Sequence, residues 1–167
     1  MAVLEILHYP DSRLRNKAQP VKHVDDNLRR QVEDMYETLY ESQGVGLAAT
    51  QVDIHLRLFV IDVSETRDQR QCVINPEIIS KEGTQYELEG CLSATGAYDR
   101  VERALKVRVR GTDLDGNVLE FDAEGLKAAC VQHEMDHLNG ILFVDHLSRL
   151  KQERYRKKVS KLMAVKE

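Results

Sequence analysis

The sequence predicts an α+β fold, with antiparallel β-sheets packed around a central helix, an amphipathic helix before them and another helix after. Three observations predict it. Strand-like stretches cluster between residues 56 and 123, helical periodicity flanks them over 25–43 and beyond 123, and no regular alternation of strand and helix appears. A chain of 167 residues suits one domain, here 1–167, around one main core. With 42% hydrophobic and 31% charged residues, general disorder is excluded. No apolar run approaches the ~18–20 residues of a membrane span, so no membrane role is expected. The opening Met1–Pro10 has no basic stretch before a long apolar core, so it does not read as a signal peptide, and a cytoplasmic location is expected. Three cysteines, an odd number, argue against a disulfide framework and suit a reducing compartment.

Pro10 and Pro20 punctuate an N-terminal arm with a short helical turn between Asp11 and Lys17. Leu28, Val32, Met35 and Leu39 recur at 4-3-4 spacing, which predicts an amphipathic helix over 25–43, capped by Asp25 or Asp26 and stopped by Gly44. Residues 56–63 and 72–79 are rich in β-branched side chains and read as strands. Leu105–Arg110 alternates apolar and basic residues, and Asp115-Gly116 separates it from 117–123, a hairpin with one wet face. From Ala123 the pattern turns helical: Leu126, Ala129, Cys130, His133 and His137 fall on one stripe, and Gly140 ends it. That stripe reads as core, and beside a metal its first members also suit an apolar slot for a methionine side chain.

A last helix, over about 146–167, is basic. Residues 149–167 hold eight Lys and Arg against Glu153 and Glu167, a net +6, which leaves −10 for the rest. Such a tail is either a solvated face or an anchor for a polyanion such as RNA, and charge alone does not choose.

The strongest chemical signal is His133-Glu134-Met135-Asp136-His137. On a helix, residues i and i+4 differ by about 40° around the axis, so both imidazoles can meet one cation. Glu134 lies ~100° from His133, close enough to reach a water at that cation without being a ligand. Random placement of six His and fifteen Glu would give this pattern about 0.02 times per chain, so chance is a poor explanation. The usual third ligands of zinc peptidases are missing: Phe143 stands where a third histidine would, and the only downstream glutamates, Glu153 and Glu167, lie in the basic tail. The remaining candidate is Cys91, within Glu89-Gly90-Cys91-Leu92-Ser93. Alone it would read as a small buried residue, as Cys72 and Cys130 do; beside an unfilled two-histidine site it reads as a ligand.

Gly44-Val45-Gly46-Leu47-Ala48-Ala49 matches G-x-G-x-x-A, but it follows a helix where a dinucleotide fingerprint needs a strand, so no dinucleotide cofactor is expected. A loop that lets a substrate backbone lie against Gly46 fits better.

Taken together, Gly44–Gln51, Glu89–Ser93 and Gln132–Gly140 resemble, in order and at similar separations, the three motifs of the peptide deformylases, and the resemblance extends over nearly the whole chain. It implies a hydrolase that removes the formyl group from the N-terminal formyl-methionine of nascent polypeptides. It further implies His133, His137 and Cys91 as ligands of one divalent ion, natively Fe²⁺ with Zn²⁺, Ni²⁺ or Co²⁺ as substitutes, and Glu134 as the catalytic acid and base. The Gln51 amide and the Leu92 N–H correspond to donors to the formyl oxygen, and Val45, Gly46, Glu89 and Gly90 to walls of the peptide site. The resemblance also implies that, as a C-terminal helix can do in bacterial members, the basic tail contacts the ribosome, which gives it a candidate partner. Ala94-Thr95 departs from the apolar residue and proline common after the second motif, and the expected effect is a looser loop behind Cys91 or a reshaped pocket rim. Two other readings remain open: a metal amidase or metallopeptidase acting on another N-acyl group, and a non-catalytic, ribosome-associated module with a structural metal.

Overall fold

A computed structural model describes residues 2–166. The elements, in chain order, are α1 (Asp26–Glu41), β1 (Gly46–Ala48), β2 (Leu58–Ile61), β3 (Gln71–Glu82), β4 (Gln85–Glu89), β5 (Asp99–Arg103), β6 (Lys106–Thr112), β7 (Val118–Glu124), α2 (Leu126–Leu138) and α3 (Arg149–Lys166), with short 3-10 turns at 12–15, 49–52 and 143–146. Five strands form an antiparallel sheet in the order β1-β2-β3-β6-β7, and β4 pairs with β5 as a separate antiparallel ribbon. The architecture is α+β, as the sequence predicts. No helix among the described residues is long and apolar enough to cross a membrane.

The two faces of the large sheet explain how the helices sit. Strand β2 is buried at all four positions because both of its faces are covered. Leu58 and Val60 pack with the α1 stripe of Leu28, Val32, Met35 and Leu39. Phe59 and Ile61 point the other way, into a cluster with Ala128, Val131 and Leu138 of α2. Period two in the strand thus meets two helices with one sequence. Asp25 caps α1 through a 2.8 Å bond from the Leu28 N–H. The helix stops earlier than the glycine signal suggests: Ser42 closes it and Gln43, with φ of 58°, takes the left-handed position expected of Gly44.

In the β6–β7 hairpin, Val107 and Val109 are buried while Arg108 pairs with Glu120 and Asp122 on the solvated face. Its turn is closed by Asp113 Oδ1, which accepts from the N–H groups of Asp115 and Asn117. Strand β7 runs on to Glu124, so the helical pattern read from Ala123 begins in structure only at Leu126. Leu126, placed by spacing on the buried stripe, is 60% exposed.

Helix α2 is buried almost all round from Ala128 to Glu134, which is why its apolar periodicity is weak. Gln132 fastens it: the side chain accepts from the Ala104 N–H and donates to the Ala104 carbonyl, each at 3.0 Å. Gly140, at φ 75°, ends the run as its position predicts.

The last helix starts at Arg149 rather than about 146, because 143–146 form a 3-10 turn that buries Phe143 and Val144. Tyr155 and Val159, one helical turn apart, anchor α3 in a third cluster with Leu142, Phe143 and Leu147. Residue 167, at the end of the expected helix, lies outside the described residues.

Met35 is fully buried between α1 and the sheet. Met35→Ala is expected to lower stability by about 2–5 kcal/mol, read as a lower urea midpoint with an unchanged denaturant slope.

Candidate metal centre and cleft

Helix α2 brings His133 and His137 to one face, and the loop after β4 brings Cys91 to meet them. Their ligand atoms all lie within 4.8 Å of one another, with Cys91 Sγ 3.3 Å from His137 Nε2. Both histidines are buried. Among the described residues this is the only group of three or more His, Cys, Asp or Glu side chains that could hold a metal ion. Sulfur and imidazole donors of this kind suit a borderline or soft divalent cation. Burial pushes His137 well below the usual histidine range, towards the neutral imidazole that can ligate, whereas burial acts the same way on His133 but is outweighed by Cys91, Glu134 and Glu89, which hold it well above that range.

The sulfur is fixed from two sides. It accepts from the Ser93 N–H at 3.4 Å and from Gln51 Nε2 at 3.7 Å. Gln51 sits in the 3-10 turn at 49–52 and is buried. The Ala48 N–H donates to its Oε1 at 2.9 Å, which directs the amide nitrogen towards Cys91 and the Ser93 hydroxyl. The Leu92 N–H has no protein acceptor among the described residues.

Glu134 is one residue beyond His133 and fully enclosed. Its Oε1 is buried with no hydrogen-bond partner, and burial pushes its carboxyl up to about 7, against the pull of His133 and Arg103. A carboxylate held near neutrality is suited to taking and returning a proton. Strand β1 runs directly over it. A Cβ at Gly46 would collide with Glu134 Oε2 and come within 2.6 Å of Cys130 Sγ, so only glycine lets the strand lie this close to the helix.

A cleft of about 530 Å³ opens in front of these groups, and Val45, Gly46, Gly90 and Leu92 are among its walls. The expected substrate loop at Gly46 is in fact an edge strand, β1, followed by a 3-10 turn. A larger cleft of about 790 Å³, on the far side of α2, is lined mainly by charged and polar side chains and contains none of Cys91, His133 and His137. Chemistry, rather than size, singles out the smaller one.

Glu89 borders the cleft, but its carboxylate is already committed. It accepts from His133 Nδ1 at 3.1 Å and from Arg103 Nε and Nη2, both at 3.0 Å. Burial pushes this carboxyl up, yet the bonds from His133 and Arg103 outweigh that and hold it at about 2. Being ionised, it can only accept, so Nδ1 of His133 carries the hydrogen and Nε2 is left for the centre.

Sequence reasoning missed Arg103, Gln132 and Ser93. A signal for the first exists: Asp99, Val101 and Arg103 share a strand face, and a charge in phase with a buried valine needs a buried partner. The charged composition of β4 and β5 concealed both strands. The loop at Ala94-Thr95 is held on several sides, and Thr95 lines the cleft. Ala94 is buried, the Thr95 N–H donates to His8 Nε2 at 3.0 Å, and the Tyr155 hydroxyl donates to the Thr95 carbonyl at 2.8 Å.

Known proteins match the chain over nearly its whole length. The family model described as polypeptide deformylase matches residues 3–153. A peptide deformylase of Chromobacterium violaceum is 55% identical over 161 residues, 96% of each chain. The crystal structure of a peptide deformylase from Legionella pneumophila superposes with a TM-score of 0.93 at 47% identity, covering 99% of this chain and 98% of that one. The Ehrlichia chaffeensis enzyme, solved in complex with actinonin, gives 0.91 at 39% identity, covering 96% and 98%. The chain belongs to the polypeptide deformylase family and is an enzyme that removes the formyl group from polypeptides.

Proposed function

We propose that residues 1–167 act as a single cytoplasmic catalytic domain that hydrolyses the N-terminal formyl-methionine of nascent chains and releases formate, with Cys91, His133 and His137 as the ligands of one divalent ion. The observation that carries this reading is the convergence of those three side chains within 4.8 Å beside the buried carboxylate of Glu134. Fe²⁺ is the ion we assign to the native enzyme, with Zn²⁺, Ni²⁺ and Co²⁺ as substitutes. Bound there, such an ion supplies Lewis acidity and lowers the pKa of water from ~15.7 towards ~7, so that hydroxide is available at neutral pH.

The chain's own residues do the rest. Glu134 accepts the proton of the attacking water and returns it to the departing amine. As the formyl oxygen gains charge, the Gln51 amide and the Leu92 N–H donate to it; a preorganised donor of this kind is worth about 2.7–4 kcal/mol in the barrier. Val45, Gly46 and Gly90 let an extended peptide approach, with Glu89 in the wall behind His133. The apolar end of the cleft, at Leu126, Ala129 and Cys130, receives the methionine side chain. A purely structural metal site would need neither Glu134 nor Gln51, which speaks against the non-catalytic alternative.

The basic helix supports a second part of the proposal, contact with the ribosome. Tyr155 and Val159 hold α3 to the body while Arg154, Arg156, Lys157, Lys158 and Lys161 are exposed. The exposed residues are a polycation presented to a polyanion.

Formate release from a formyl-methionyl peptide, assayed beside acetylated and unmodified peptides, tests the substrate. In that assay Glu134→Ala is expected to keep its metal while turnover falls about 10²–10⁴-fold, and His133→Ala to lose the metal itself. Full activity in Glu134→Ala would remove its assigned role. The iron form is expected to lose activity in air faster than the nickel form, since Fe²⁺ and the Cys91 thiolate are both open to oxidation; equal half-lives contradict this. Reversing Arg156, Lys157 and Lys161 to glutamate should reduce cosedimentation with ribosomes at low salt without changing hydrolysis of short peptides, whereas unchanged cosedimentation marks α3 as merely solvated.

A further inference from the structure

The contacts of Glu89 do not end at His133. Arg103, whose side chain is only 5% exposed, grips both oxygens of Glu89 through Nε and Nη2 and reaches with Nη1 to Asp136 Oδ2 at 2.7 Å. The same Asp136 oxygen lies 2.9 Å from His146 Nε2, in the 3-10 turn before α3. One chain of hydrogen bonds therefore crosses the molecule. It starts at the imidazole facing the catalytic cleft, passes beside α2, and ends at Asp136 and His146 in the wall of the larger cleft behind.

Each link is directional. A guanidinium has a rigid planar fork that can satisfy two oxygens of one carboxylate while a third nitrogen binds another. Glu89 stands on a two-stranded ribbon, β4–β5, rather than in the five-stranded sheet, so an external brace has something to fix. Arg103 lies on the partner strand, directly opposite Gln85, with Glu89 paired at the other end of the ribbon opposite Asp99. The bond between the two side chains ties the ends of the ribbon together, and Asp136 ties that ribbon to α2.

We propose that Arg103 is a positioning residue for His133. By clamping the Glu89 carboxylate, and being clamped in turn by Asp136 with His146 behind it, Arg103 keeps the imidazole in the tautomer and orientation that presents Nε2 to Cys91 and His137. The inference rests on the reading of those three residues as metal ligands, and it adds a residue that touches neither metal nor substrate. Partners at this remove typically alter metal affinity or activity 10–100-fold when lost. Lysine at this position keeps the charge but not the fork.

The test uses the full-length protein loaded with Co²⁺. Affinity is measured by competition with a chelator and followed through the thiolate-to-Co²⁺ absorption band, beside kcat and KM for a formyl-methionyl peptide. In the Zn²⁺ form, the exchange of the His133 Nδ1 proton with solvent is followed by NMR. Arg103→Lys is expected to fold, to bind Co²⁺ about 10–100-fold more weakly, to lose kcat with KM nearly unchanged, and to exchange the Nδ1 proton faster. His146→Ala, at the outer end, is expected to move the same readouts in the same direction by less. A role confined to stability would lower the unfolding midpoint of Arg103→Lys and leave Co²⁺ affinity and proton exchange as in the unaltered enzyme, and that result overturns the proposal. Should Arg103→Lys not fold, His146→Ala decides: weaker Co²⁺ binding with faster exchange supports the brace, and unaltered values overturn it. Absence of the thiolate band in the unaltered protein would instead bring down the ligand assignment, and this inference with it.

Discussion

Burial of α2 on nearly every side is the constraint on which the rest of the structure depends. A helix in that position has no water for its polar side chains, so each one must find a partner within the protein or at the site it builds. Gln132 finds the backbone of Ala104, and His133 finds Glu89. His137 meets Cys91 through Nε2, while its Nδ1 and Glu134 Oε1 are buried without protein partners. Of these two residues, Glu134 lines the cleft, where Cys91, His133 and Gln51 also converge.

The same burial sets the electrostatics. On the same cleft, Glu89 is held far on the acidic side of an ordinary carboxyl and Glu134 near neutrality. The difference lies in their neighbours: Glu89 accepts three charge-assisted bonds, whereas Glu134 has desolvation with no comparable donor. One carboxylate is thereby held as an anion against an imidazole, and the other is held near the balance between its two protonation states. Such an ion pair is costly to disturb, since removing one partner of a buried pair costs about 3–5 kcal/mol. The Arg103–Glu89 pair is therefore a rigid reference against which His133 is set.

Around this centre the remaining elements serve as supports. The large sheet places α1 on one face and α2 on the other. Strand β1 is brought over Glu134 by the space that Gly46 leaves, and α3 closes the loop behind Cys91 through Tyr155 and Thr95. The α3 contact also joins the basic surface to the Cys91 loop by a short path, from an exposed helix to Tyr155, Thr95 and Cys91.

The sequence by itself determined the elements with strong local signals. The α1 stripe, the β6–β7 hairpin and the two histidines one helical turn apart follow from periodicity and turn chemistry, which act over a few residues. The unfilled two-histidine motif was enough to single out Cys91 as the candidate third ligand, and the fold brings its sulfur within reach of both imidazoles. Tertiary structure decided what depends on pairing across distance. It produced the β4–β5 ribbon, whose charged sequence has no apolar alternation to read, and committed the carboxylate of Glu89, which also borders the cleft, to His133 and Arg103. It also buried Arg103 against two acids, 14 and 33 residues away, and set the ends of helices that spacing had placed a few residues off. The physical reason is that a hydrogen bond or ion pair between distant segments leaves no periodic trace in either one; it exists only once the core has brought them together and excluded the water that would otherwise satisfy them.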